Sequence, residues 1–406
     1  MIQKSTIDNT NIYFQANNDL PMIDIALNFR AGSAFDGNIN GLSDLAVGLF
    51  ATKTKVSSEQ ELINKITDIG ASIHAETTKE YFSVKIRVLS DDTVITKLLE
   101  ILKEIFTQAD FDKKILAREK SQTTTHISYL YNQPNYLASL EFSKNLFANN
   151  PYSQPTIGHI DTIKNITVKD IEDFYARLIC ASNANICIIG DIDNFNAEKI
   201  ANTIIQSLPK GEKNLQTFKQ TKNPNHIIKK PYKSKQTSIL MGHQLFLDIE
   251  SPLYFPLKLG NEILGGGGLN SLLFNKVREE LGLVYNIGSS INLNPEYGSF
   301  VISAQTSNPN LALETINDIY KNFITTEIND ETLANTKKHI EGTHLLGSVR
   351  NSSKLSMMSS IANKDLSLDF FNTYSEKTNK VTAKQIKDAF EAIQHNELIT
   401  VLVGDV

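Results

Sequence analysis

The sequence predicts an α+β protein of two similar halves, each a β-sheet covered on one face by helices. Three observations lead there. Short runs of β-branched and aromatic residues interleave with longer segments of helical periodicity. The same motifs recur in the same order about 211 to 215 residues apart. Between the two sets lies a polar, lysine-rich stretch without periodicity.

In the first half, "IDIALNF" (23–29) and "EYFSVKIRVL" (80–89) read as strands, and "DDTVITKLLEILKEIF" (91–106) carries apolar residues at i, i+3, i+4 and i+7 behind Asp91 as N-cap. "NKITDIGASIHA" (64–75) is a helix end, a glycine (Gly70) and a strand. "ITVKDIEDFY" (166–175) starts a helix capped by Thr167, and "CIIGDI" (187–192) is a short apolar strand ending at Gly-Asp. The second half repeats the pattern. It has strands at "TSILMGHQL" (237–245) and "GSFVISAQT" (298–306), and a helix at "NLALETINDIYKNFI" (310–324) behind Asn310. "NKVREELGLVYNI" (275–287) turns at Gly282, "VTAKQIKDAF" (381–390) is capped by Thr382, and the chain closes on "VLVGDV" (401–406). Three matches in register indicate a duplication, at a period far too long for a solenoid. The expected domains are residues 1–212 and 236–406, with 213–235 as linker.

At 406 residues, two domains or four small modules are expected; 41% hydrophobic and 21% charged residues fit a globular chain. The net charge of −5 provides no global attraction for nucleic acid or anionic membranes. The eight lysines of residues 210–235 are read as a solvated linker rather than a nucleic-acid patch, because no aromatic interleaving accompanies them. Two cysteines, Cys180 and Cys187, exclude a disulfide scaffold and a cysteine-built zinc shell. No apolar run is long enough to cross a membrane as a helix. The expected compartment is the cytoplasm if Met1 is native, and the periplasm if a signal peptide has been removed.

"GGGGLNSLLFNKVREELGLVY" (265–285) is the most informative stretch. No Gly-Lys-Ser/Thr follows the glycines, and "YFPLKLGNEIL" (254–264) before them reads as a helix, which argues against a phosphate loop. Gly265 to Gly268 then link two helices, either as a tight turn or as the wall of a groove for an extended peptide. The second helix runs through Leu272, Leu273, Val277 and Leu281 to Gly282. Beyond it Leu283, Tyr285 and Ile287 alternate with Val284 and Asn286 as in a strand. By themselves, Arg278 reads as a helix-end or solvated cation and Tyr285 as a half-buried strand aromatic.

This stretch resembles the C-terminal half of pitrilysin/insulinase-type (inverzincin) metallopeptidases, in the short two-domain branch that includes mitochondrial processing peptidase. "FRAGSAFDGNINGLS" (29–43), "PYSQPTIGHIDTIKNITVKDIEDFY" (151–175), "NANICIIGD" (183–191) and "YFPLKLGNEILGGG" (254–267) extend the resemblance over nearly the whole chain. It implies mainly antiparallel sheets and two halves arranged as a clamshell, with two such chains enclosing a peptide-binding chamber. It also implies that Arg278 and Tyr285, seven apart, contact substrate near the zinc, and that Gly265, Gly266, Gly267, Gly268 and Asn270 guide it.

The family's inverted zinc motif, His-x-x-Glu-His, aligns with "GLSDLAVG" (41–48). Asp44 stands at the first histidine, Val47 at the glutamate and Gly48 at the second histidine. Zinc hydrolysis needs two imidazoles on one helix face and a carboxylate that takes the proton from zinc-bound water. Val47 cannot take a proton, and Gly48 has no side chain. The third ligand position falls on His126 in "REKSQTTTHI" (118–127), which keeps Glu119. No histidine pair at spacing four repairs the site, His339 and His344 being five apart, and no Gly-x-Ser-x-Gly occurs.

The resemblance therefore implies a chain that binds no metal and is not an enzyme alone. Its expected role is a substrate-binding subunit of a heterodimeric zinc metallopeptidase, with zinc in a homologous partner, unfolded peptides as substrates and no nucleic acid as ligand. The alternative is a non-enzymatic peptide-binding or assembly protein of the same fold.

Overall fold

The computed structural model describes residues 1–219, 226–294, 296–394 and 398–406. The chain forms two compact units, each assembled from separated stretches. One comprises Met1–Ser128, Pro155–Gln216 and Leu345–Asn372; the other comprises Tyr129–Gln154, Thr217–His344 and Thr373–Val406.

The first unit's sheet contains β1 (Gln3–Ile7), β2 (Thr10–Ala16), β3 (Met22–Phe29), β4 (Ser72–Thr77), β5 (Phe82–Leu89) and β6 (Ala184–Gly190), in the order β1-β2-β6-β3-β5-β4. The second contains β7 (Ile227–Pro231), β8 (Thr237–Leu245), β9 (Asn286–Asn292), β10 (Gly298–Thr306) and β11 (Ile399–Gly404), in the order β7-β11-β8-β10-β9. Without β1 the two orders are the same. In each, the first pair is parallel (β2 with β6, β7 with β11) and every other pair antiparallel. The duplication read from the sequence is thus written into the topology, and both sheets are mainly antiparallel.

Period-two alternation decides how each sheet packs. In β3, Ile23, Ile25, Leu27 and Phe29 are fully buried. Asp24 and Asn28 occupy alternate positions. The guanidinium of Arg87 on β5 donates to Asp24 at 2.7 and 3.2 Å, and Asn28 Nδ2 donates to Ser359 Oγ at 3.1 Å. Ser359 belongs to the helix Asn351–Lys364, which packs on β3 and β6. Its counterpart Pro134–Leu146 packs on β8 and β11 in the second unit. There Phe300 stacks on Tyr320 with ring centroids 5.1 Å apart, within a core that includes Ile239, Met241, Ile302 and Phe390.

Local signals fix most boundaries. Asp91 caps Asp92–Thr107 through the N–H groups of Thr93 and Val94. Thr167 and Thr382 each open a helix with a reciprocal capping box, closed by Asp170 and Gln385. β6 and β11 end in the same unusual backbone, Gly190 at φ +148° and Gly404 at φ +150°. A Cβ there would lie 2.2 Å from Met22 O, or 2.6 Å from Thr237 Cα. Only glycine fits at either place.

Four local expectations are corrected. Asn310 is not the N-cap: Asn308 is, and Pro309, with its φ preset and no N–H to satisfy, takes the first helical position. Within the expected linker, residues 227–231 form the edge strand β7, while residues 220–225 lie outside the described residues. Leu281 is exposed, although Leu273 and Val277 are buried, because Phe274–Glu280 is π-helical and its wider turn breaks the four-residue spacing. Leu283, Tyr285 and Ile287 do not share a face. β9 begins only at Asn286, Val284 and Ile287 are buried, and Tyr285 is 68% exposed.

Among the described residues no helix is long and apolar enough to cross a membrane.

Candidate functional site

In the first unit the short helix Leu42–Leu49 carries Asp44, Val47 and Gly48. Its N-cap, Gly41, offers no side-chain cap. The buried carboxylate of Asp36 substitutes, accepting the N–H groups of Gly41 at 2.8 Å and Ser43 at 3.0 Å. Burial pushes the Asp36 carboxyl up to about 7 even against those donors. Asp44, half-buried one turn in, is pushed up to about 6 by burial, while the charge of His126 opposes the rise. The two remnants of the expected ligand set therefore do lie within electrostatic reach.

The second-histidine position is occupied differently. A Cβ on Gly48 would sit 2.9 Å from Glu119 Oε2. Glu119 in turn accepts Arg118 Nε at 3.0 Å, and Arg118 forks onto Glu59 at 2.8 and 3.0 Å. A carboxylate held by an arginine fills the space where the family motif has an imidazole. Among the described residues no three His, Cys, Asp or Glu side chains form a group that could hold a metal ion. A zinc ion does not fit this donor set, because one carboxylate and one imidazole leave the shell incomplete and Val47 supplies no base.

In the second unit the helix Tyr254–Asn261 continues as a π-turn, Glu262–Gly266, and Gly268–Asn270 forms a 3-10 turn. Gly265 and Gly266 thus belong to the helix end, and only 267–270 remain as the connector. Ser271 then starts the next helix, its Oγ accepting the N–H of Phe274 at 3.4 Å. Gly265 is the point of close approach, where a Cβ would fall 2.6 Å from the backbone nitrogen of Ser289 on β9. Asn261, buried on the helix, fixes that approach: its Oδ1 accepts Ser289 Oγ at 2.8 Å and its Nδ2 donates to Ser289 O at 3.4 Å. The glycine-rich segment is therefore docked on the sheet's edge strand.

Arg278 lies on the π-helical segment, its guanidinium 4.6 Å from the centroid of the Phe274 ring. This cation–π contact orients the charge without neutralising it. Among the described residues no carboxylate pairs with Arg278 within ion-pair distance. The segment stops at Gly282 (φ +61°), whose N–H donates to Arg278 O at 3.1 Å. Tyr285 follows, its N–H bound to Gln305 O at 2.8 Å and its side chain in the open.

Asn270 lines two adjoining clefts. One of about 820 Å³ also touches Leu272, Asn275, Phe323 and Glu327, and one of about 370 Å³ reaches Glu262, Gly267 and His339. His344 instead stacks on Tyr374 with centroids 5.2 Å apart. Sequence reasoning missed Asp36, Asn261, Ser289 and both clefts. A polar Asn261 among the apolar positions of "YFPLKLGNEIL" was the one available signal.

A duplicated α+β scaffold with a zinc helix emptied of its ligands defines the class: a non-catalytic relative of inverted-motif metallopeptidases. Residues 12–159 match the insulinase family, peptidase family M16, and residues 165–340 match the peptidase M16 inactive domain. The chain belongs to the M16 family. It is 25% identical over 395 residues to the non-peptidase homolog YmxG of Helicobacter pylori, covering 95% of this chain and 89% of that one. It is 24% identical over 399 residues to an uncharacterized zinc protease YmxG of Bacillus subtilis, covering 95% and 93%. Among solved structures, the peptidase M16 inactive domain from Pseudomonas fluorescens superposes with a TM-score of 0.95 at 25% identity, covering 100% of this chain and 98% of that one. The chain is an inactive M16 homologue and no peptidase on its own.

Proposed function

We propose that this chain is the non-catalytic, substrate-binding subunit of a heterodimeric zinc metallopeptidase. The observation that carries the reading is an asymmetry. The zinc helix has lost both imidazoles and the base, while Arg278, Tyr285 and a buttressed glycine-rich segment stand complete in the second unit. Arg278, whose guanidinium has no carboxylate partner among the described residues, and the exposed phenol of Tyr285 are hydrogen-bond donors available to a peptide. Both donate to a carbonyl oxygen as it gains negative charge, and removing one such donor costs roughly 2.7–4 kcal/mol of barrier. Gly265–Gly268 and Asn270 guide the extended substrate. The zinc and the proton-accepting carboxylate belong to the partner.

The test is reconstitution with a zinc-bearing homologue from the same genome and an unstructured peptide as substrate. The chain alone should cleave nothing, the pair should cleave, and Arg278→Ala or Tyr285→Phe should lower the pair's kcat/KM by roughly 100-fold or more. Equal activity of the partner without this chain would replace the reading with a scaffold role. Chelator-sensitive cleavage by this chain alone would overturn both.

A further inference from the structure

Because the two units share one layout, a segment packed in the first can be laid on the second. In the first unit, residues 50–58 connect the helices Leu42–Leu49 and Glu59–Asp68. This connector lies extended against residues 108–112, which follow the helix Asp92–Thr107. Thr54 forms an antiparallel bridge with Ala109. Lys55 N–H donates to Gln108 O at 2.7 Å, and Asp110 N–H donates to Lys53 O at 3.2 Å. Lys53 Nζ sits 2.8 Å from Asp110 and 3.1 Å from Asp112.

The second unit spends the corresponding residues on lengthening its helix through Gly266, and among the described residues no backbone hydrogen bond joins the remaining connector, 267–270, to the equivalent place. That place is residues 326–329, after the helix Pro309–Thr325. Asn329 accepts the N–H of Thr332 as Asp112 accepts those of Lys114 and Ile115, which puts Glu327 where Asp110 stands. Here the cleft of about 820 Å³ opens, walled by Thr326 and Glu327 and floored by Ile319 and Phe323. Thr326 and Glu327 are exposed, whereas Gln108 to Asp110 are half-buried under their own connector. Glu279 and Glu280 line the cleft as well, and the one lysine among its described lining residues, Lys276, is held by Glu280 at 2.8 Å. Lys384 acts on Glu327 from outside the lining but is paired with Asp388 at 2.6 Å. The charge left over is negative.

We propose that this cleft binds an extended, lysine- or arginine-bearing peptide segment. The segment adds as a short antiparallel strand to Thr326–Glu327 and sets a cation on Glu327, as Lys53–Lys55 does within the first unit. Strand addition supplies main-chain hydrogen bonds, and alternate side chains fall on the acidic wall and the apolar floor. This deepens the peptide-binding reading above by naming the class of substrate segment, and it places a second contact beside Asn270.

The experiment is fluorescence anisotropy of this chain alone with a labelled heptapeptide, ATKTKVS, the sequence of residues 51–57. Saturable, salt-weakened binding is expected. Glu327→Lys should lower the affinity at least roughly tenfold, and a probe with both lysines replaced by glutamate should recover binding to that variant. A probe methylated on the amide nitrogen of its second lysine should bind the unaltered protein at least roughly tenfold more weakly, because it lacks the N–H that Lys55 gives to Gln108. No saturation at millimolar probe, or an affinity unmoved by both changes, would overturn the assignment. Activation of a zinc-bearing partner together with failure of the probe would retire the cleft and leave the subunit reading standing.

Discussion

Asn64-Lys65 to Gly70 in the first unit and Asn275-Lys276 to Gly282 in the second are the same helix end, with one residue more in the second. In the first unit the end is ordinary α-helix, Glu59–Asp68, capped by Ser58 and Glu61. In the second the added residue is taken up as the π-helical segment Phe274–Glu280, and that segment carries Arg278. Single π-turns inside helices are frequent at functional sites, since the extra residue re-aims side chains at a cost in packing. The zinc-helix comparison runs the other way: Leu42–Leu49 is regular and stripped of ligands, whereas Tyr254–Asn261 runs on into a π-turn that docks Gly265 on β9. The helix that lacks the zinc ligands is regular, and the two π-helical segments lie in the second unit, around Gly265 and Arg278.

The comparison is broken most sharply by deleting Glu279, which returns the second unit to the spacing of the first. Circular dichroism should show a folded protein, while activation of a zinc-bearing partner should fall by roughly 100-fold, the scale of one misplaced donor. Unchanged activation would mean that the π-segment has no role in contacting substrate.

The next effect tests what the units share. Gly190→Ala and Gly404→Ala place a Cβ against backbone at matching positions, and each should cost about 3 kcal/mol, counting backbone strain and overlap together. Denaturant titration should show two losses of similar size. A harmless Gly404→Ala would mean that the second unit has relaxed a constraint the first retains.

The pH dependence separates the units again. The folded-state pKa of Asp44, about 6, lies above the ordinary carboxyl value. The folded state therefore holds that proton more tightly than the unfolded chain, and stability falls as pH rises from about 4 to about 6. Asp44→Asn should raise stability at pH 8 by about 1–2 kcal/mol after allowance for solvent screening, and change little at pH 4. Thermal melts at the two pH values give the answer, and an equal shift at both would show that burial of the charge is not the cause.

The smallest effect is again a symmetric one. Thr167→Ala and Thr382→Ala each remove one side of a capping box and should cost about 1 kcal/mol. Unequal losses in denaturant titration would show that neighbouring packing supports one helix start and not the other.

Much of this architecture was legible in the residues. β8 and β10 run over the stretches their β-branched patterning marks, and Asp91, Thr167 and Thr382 cap where their side chains imply. Asn310 failed because Pro309 overrides a polar side chain one residue later. Tyr285, which by itself reads as a half-buried strand aromatic, is exposed because the ladder of β9 begins only at Asn286. The loss of the zinc set was legible because a ligand motif is a short run of side-chain types. Its replacement, Glu119 held by Arg118 against Gly48, was not, since those residues meet only after two helices pack.

By itself the sequence determined the duplication, through motifs that recur about 211 to 215 residues apart, together with most strands and caps and the absence of two imidazoles and a base, which are properties of neighbours within one or two turns. The tertiary structure alone decided that Asn351–Lys364 packs on β3 and β6, that Gly265 lies on Ser289, and that Thr326–Glu327 stays uncovered where Ala109–Asp110 is covered. These depend on contacts between residues far apart in the chain. Local propensity carries no information about such contacts, because the burial and backbone pairing that decide them exist only once the whole unit has packed.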